Sequence, residues 1–142
     1  MDAQRLFHEA RAWILPLLIG IIVGAAGIHV LHAQTQPIKR TPLTRADLTG
    51  VEGKEVFVTL IEAQPGAEFP AHIHYGDEFL YVIEGSLDGF LEQTQASTKA
   101  GETFHAPREK VHGGKVVSGT PAKLLAVHVV DKGKPLTEPA KR

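Results

Sequence analysis

Beyond residue 54 the chain alternates apolar and polar positions in short runs. EVFVTLIEA (55–63) alternates around β-branched residues, and EFLYVIEG (78–85), SLDGFLEQ (86–93), ETFHAP (102–107), GGKVVSG (113–119) and KLLAVHVV (123–130) are similar. Turn residues punctuate them at PG, YGD, GS, AG, APREK, SGTP and DKG. Short period-two runs bounded by such residues predict an all-β sandwich or barrel. No long amphipathic helical pattern follows residue 35, and no repeat of solenoid length is present. Within EFLYVIEG, Leu80 and Val82 share a side with Glu78, while Phe79, Tyr81 and Ile83 take the other. A strand apolar on both sides is covered on both, by a second sheet or a second subunit. A homodimer is the expectation.

The N-terminal pattern differs. Ala12 to Leu31 is an apolar run without a formal charge, preceded by Arg5 and Arg11 and followed by the small residue Ala33. Apolar residues all round leave no polar face for a soluble helix. Residues 1–33 are therefore expected to be a signal peptide or an N-terminal membrane anchor, with 12–31 as the hydrophobic helix. Arg5 and Arg11 are not adjacent, so a twin-arginine signal is excluded. The expected location is periplasmic or otherwise extracytoplasmic, the protein being secreted or anchored to the inner membrane. Residues 34–48, with Pro37 and Pro42 among polar neighbours, are expected to be a linker. The barrel is expected over 49–133, and a flexible tail over 134–142.

Composition narrows the chemistry. The 142 residues suit one domain, and a net charge of −1 offers no basic stripe for nucleic acid. The absence of cysteine excludes disulfides, thiolate catalysis and Cys-ligated zinc. Eight histidines remain. His72 and His74, two apart, point to one face of a strand. Glu78 opens the next strand after a Tyr75-Gly76-Asp77 turn, and His112 arrives from a different hairpin. Three imidazoles and a carboxylate from three strands could converge inside a barrel, a donor set suited to first-row divalent metals. An isolated pair of histidines on an exposed edge strand would have no such meaning. The wider frame argues otherwise: Gly66, His72, His74, Glu78 and Gly85 occur at a spacing that chance supplies roughly once per million starts.

That stretch, GAEFPAHIHYGDEFLYVIEG, resembles the first motif of the cupin family. GETFHAPREKVHGGKV resembles the second through Gly101, Pro107 and His112. It departs from the family at Glu109, where Gly is usual, and at Val116, where Asn is usual. Glu109 is expected at the last position of a Pro-led turn, at small cost. The resemblance covers roughly residues 50 to 130. The chain is similar to small, exported, single-domain bacterial cupins. The resemblance implies a jelly-roll β-barrel and a metal held by His72, His74, Glu78 and His112.

Weaker candidates surround these. His128 stands as a pocket wall or as a hydrogen-bond donor to a ligand. His105 and Arg108 are candidates for the pocket and its mouth, Lys110 for the mouth alone. Tyr81 is read as packing. The metal is expected to be Mn or Fe, with Zn or Ni also possible. Open positions on such an ion suit a metal-dependent enzyme on a small oxygenated substrate, a dioxygenase or a lyase or isomerase. The alternative is a non-enzymatic module that binds or senses a small molecule.

Overall fold

Alternation in residues 55–63 becomes β2 (Lys54–Ala63), whose neighbours in space are β1 (Ile38–Asp47) and β9 (Ala122–Asp131). The computed structural model describes residues 37–141. The remaining strands are β3 (Glu68–Ile73), β4 (Gly76–Glu84), β5 (Ser86–Leu91), β6 (Thr94–Lys99), β7 (Thr103–Ala106), β8 (His112–Val116) and β10 (Glu138–Pro139). They form two five-stranded antiparallel sheets, ordered β1-β2-β9-β4-β7 and β10-β3-β8-β5-β6. The apolar run 12–31 lies outside the described residues. Among the described residues no helix is long and apolar enough to cross a membrane.

One core joins the sheets. Ile61, Val82 and Leu124 from the first sheet pack in the same cluster as Leu87 and Val116 from the second. Val82 and Leu124 are fully buried, and each such side chain contributes roughly 1.5–3 kcal/mol. Alternation on β9 is strict: Ala122, Leu124, Ala126, His128 and Val130 are buried while their neighbours are half-buried. The inward row therefore carries a histidine at its fourth place.

Two expectations at the ends are corrected. The segment expected as a linker, 34–48, carries β1, which pairs with β2 from Ile38 to Asp47. Pro42 sits at the shift in register between Pro42 and Thr44, on an edge strand, where a missing N–H is tolerated. The prolines that suggested a linker thus mark an edge strand with a bulge. The segment expected as a flexible tail carries β10, held against β3 by Glu138↔Ile73 and Pro139↔His72. The Ala140 N–H also donates to the Ala71 carbonyl at 3.0 Å.

The outer face of β4 is apolar and open. Phe79, Tyr81 and Ile83 are 47%, 43% and 38% exposed. Among the described residues Tyr81 therefore packs into no core. Gly76 is required where it stands: a Cβ there would lie 2.0 Å from the Val129 carbonyl oxygen. It lets β4 lie close against β9 immediately before Glu78.

Candidate metal centre

Register brings the titratable residues together. His72 on β3 is opposite His112 on β8, and Glu78 on β4 is opposite His128 on β9. His74 follows the end of β3. His74, Glu78, His112 and His128 are 3%, 8%, 3% and 5% exposed. One donor atom from each of His72, His74, Glu78 and His112 lies within 4.8 Å of the others, so the cluster could hold a metal ion.

The tautomers follow from the backbone. His72 Nδ1 lies 2.7 Å from the Pro70 carbonyl, His74 Nδ1 2.5 Å from that of Leu136, and His112 Nδ1 2.8 Å from that of Lys110. A carbonyl only accepts, so each Nδ1 carries the hydrogen and donates. In a neutral imidazole this leaves Nε2 bare. Burial favours the neutral ring and pulls His72 down to about 4.

Bare nitrogens then face a carboxylate. His112 Nε2 is 3.1 Å and His74 Nε2 3.3 Å from the same oxygen, Glu78 Oε2. Burial pushes Glu78 upward; protons shared from His112, His128 and His74 pull it well below the usual carboxylate range, and where the Nε2 atoms are bare a cation must supply that pull. Glu78 is thus an ionised group confronting lone pairs. Buried acceptors opposed in this way are costly unless a cation lies among them. His74 Nε2 is buried without any hydrogen-bond partner. A cation bonded at about 2.0–2.2 Å sets adjacent donors about 3 Å apart, and the two Glu78 Oε2 contacts fit. Three tethered imidazoles and one carboxylate are also the donor chemistry of first-row divalent ions.

His128 approaches the other oxygen. Its Nε2 is 3.4 Å from Glu78 Oε1, and its Nδ1 is buried without a partner. It also meets the His74 ring edge-on, with centroids 4.5 Å apart. His128 thus stands in the cavity wall beside the cluster. Two expectations are corrected. His105 pairs with Phe79 on the outer face, stacks on its ring and meets Asp77 Oδ1 at 2.8 Å through Nε2. It points away from the cavity because its β7 register matches the outward parity of β4. Arg108 reaches Asp131 at 2.7 Å and donates to the Tyr75 carbonyl, so its charge is spent outside the mouth. Lys110 likewise pairs with Glu92; its carbonyl, not its ammonium, serves the centre.

The turn before His112 also differs in detail from expectation. The Lys110 N–H donates to the Pro107 carbonyl, which makes Glu109 the third residue, at φ 59°. That left-handed conformation explains why glycine is favoured there. The turn stays intact, and the Glu109 N–H donates to the His74 carbonyl at 2.9 Å.

The cluster lies in the wall of a cavity of about 330 Å³. Leu80, Leu87, Phe104 and Leu124 give it an apolar body. Leu136 and Thr137, from the supposed tail, line it as well. Backbone groups were invisible to a reading by residue type: the Pro70, Lys110 and Leu136 carbonyls orient the imidazoles, and no side-chain pattern announces them. Arg40, in the supposed linker, also lines the cavity and was missed for that reason.

Residues 59–128 match the model of the cupin domain family. No curated protein matches the chain. Among solved structures, an uncharacterised conserved protein with a double-stranded β-helix domain from Klebsiella pneumoniae is 19% identical, with a TM-score of 0.63 over 78% of this chain and 85% of that one. A cupin superfamily protein from Desulfitobacterium hafniense is 15% identical, with a TM-score of 0.58 over 70% and 84%. A DMSP lyase structure is 19% identical, with a TM-score of 0.54 over 61% of this chain and 44% of that one. With its all-β double sheet and the domain match across β2 to β9, the chain is a small cupin-domain protein.

Proposed function

We propose that this chain is an extracytoplasmic metal-dependent enzyme acting on a small oxygenated substrate, by oxidation with O2 or by lyase or isomerase chemistry. One observation carries the reading. Three imidazoles tied through Nδ1 turn bare Nε2 atoms toward one carboxylate at the wall of an apolar cavity. His72, His74, Glu78 and His112 would hold a divalent ion, Mn or Fe by preference and Zn or Ni otherwise. When bound, such an ion supplies Lewis acidity or, for Fe and Mn, an electron for oxygen chemistry.

The chain's own residues do the rest. The carbonyls of Pro70, Leu136 and Lys110 lock the ring orientations. His128 holds Glu78 Oε1 through Nε2. Leu80, Leu87 and Phe104 exclude water from the substrate body. The location outside the cytoplasm is supported by the apolar run 12–31. Structural likeness to a DMSP lyase supports an enzyme only through the fold that the two share.

A binding module is the second reading, favoured by the absence of any carboxylate but Glu78 from the described cavity wall. The test loads purified protein with Mn, Fe, Zn or Ni in turn. Oxygen uptake and product formation are followed with diketones, thiols and dicarboxylates. Turnover that His74→Ala abolishes supports the enzyme. Binding without turnover under every metal supports the module.

A further inference from the structure

Arg40 is the unspent charge of the cavity. Imidazoles aside, Arg40 and Glu78 are the charged side chains on its wall among the described residues. The other described arginines are paired, Arg45 with Glu55 and Arg108 with Asp131. Among the described residues Arg40 meets no carboxylate. Its guanidinium instead lies over the Phe69 ring, Cζ 5.9 Å from the centroid.

Register fixes its place. Residues directly opposite in an antiparallel sheet share a face. Val82, Leu124, Ile61 and Arg40 are opposite one another across β4, β9, β2 and β1. The first three point into the core, so Arg40 emerges on the inner face. Phe69 belongs to the other sheet, so the Arg40 side chain reaches across the opening between the two edge regions. Glu78 and His128 are opposite Phe57 in a parallel row. Four residue steps along β4 separate Glu78 from Val82, roughly 13 Å of extended strand. Between the two rows the cavity wall on the first sheet is Leu80 and Thr59, both in the row of Ala126.

Resting on the proposed metal-binding reading, we infer that the ligand is elongated and amphipathic. Its oxygen-chelating head reaches the His–Glu cluster, its apolar body fills the cavity, and a carboxylate or like anion at its tail meets Arg40. A guanidinium stacked on an aromatic ring keeps its donors free at the edge for such an anion. A purely apolar ligand would leave that cation without a partner at the mouth. A cationic tail would be repelled.

Three catechols with the same chelating head separate the possibilities: 4-ethylcatechol, 3-(3,4-dihydroxyphenyl)propanoate and dopamine, with neutral, anionic and cationic tails. Each is titrated calorimetrically into the zinc-loaded full chain without oxygen. The anionic catechol should bind about tenfold more tightly than 4-ethylcatechol, and dopamine more weakly than either. Arg40→Gln should remove that preference while leaving 4-ethylcatechol unchanged. Arg40→Glu should invert it in favour of dopamine. If 4-ethylcatechol binds but the three tails are equivalent in wild type, or if Arg40→Glu keeps the anionic preference, the inference fails and the metal reading stands. If the zinc-loaded protein binds none of the three catechols, the inference fails alone; if the chain takes up no zinc, both fail together.

Discussion

Replacing Glu78 by glutamine in metal-free protein is expected to raise thermal stability. Glu78 is 8% exposed and opposes the His112 and His74 nitrogens at 3.1 and 3.3 Å. Those nitrogens are bare because their rings donate through Nδ1 to carbonyls. A glutamine amide is isosteric, carries no charge, and donates hydrogens to the lone pairs it meets. Relieving one opposed buried pair and satisfying one orphaned acceptor is worth about 1–2 kcal/mol. For a domain of this size that corresponds to a rise of roughly 5–10 °C in Tm. The sign reverses with metal. A divalent ion at 100 times its Kd stabilises wild type by about 2.7 kcal/mol, and the variant loses most of that. Circular dichroism melts at pH 8, after chelation and again with Mn(II) or Zn(II), measure both halves. A variant less stable than wild type when metal-free, with an undiminished metal response, would refute the reasoning.

Acid should act through the same rings. The fold keeps His72 neutral down to about 4, whereas an unfolded imidazole gains its proton near pH 6.5. The stability from burying the neutral ring is therefore complete above that value and is lost as pH falls from about 6.5 toward 4. Protons also compete with metal for Nε2, so metal should leave below about pH 6; full retention after dialysis at pH 5 contradicts this. Glu109→Gly should stabilise by about 0.5–1 kcal/mol, since a left-handed non-glycine residue costs more than glycine's added flexibility, and a lowered Tm would count against it. The open face of Phe79, Tyr81 and Ile83 is proposed to cover a second copy of the chain. Sedimentation equilibrium should find a dimer that Tyr81→Glu converts to a monomer; a wild-type monomer rejects the interface.

Legibility in the sequence followed the range of each cause. The β2 and β9 runs were readable because period-two alternation is local, and both strands appear within a residue or two of the expected limits. The pair His72 and His74, with Glu78 after a turn, was readable because parity and one short turn determine the geometry. β1 was not, since Pro42 reads as a breaker unless the register shift it occupies is known. β6 was missed because TQASTK carries almost no apolar alternation, being held by pairing with β5. The outward turn of His105 depended on register with Phe79, which one strand alone cannot reveal. The Leu136 carbonyl behind His74 needed a contact across 62 positions.

The account's central claim is that His72, His74, Glu78 and His112 share one divalent ion. Elemental analysis of protein purified under mild conditions tests it directly, with wild type beside His74→Ala and His112→Ala. About one equivalent of metal per wild-type chain is expected, with little in either variant, while circular dichroism shows the β-structure retained. Metal-free wild type that takes up no divalent ion, or variants that keep a full equivalent, would contradict it.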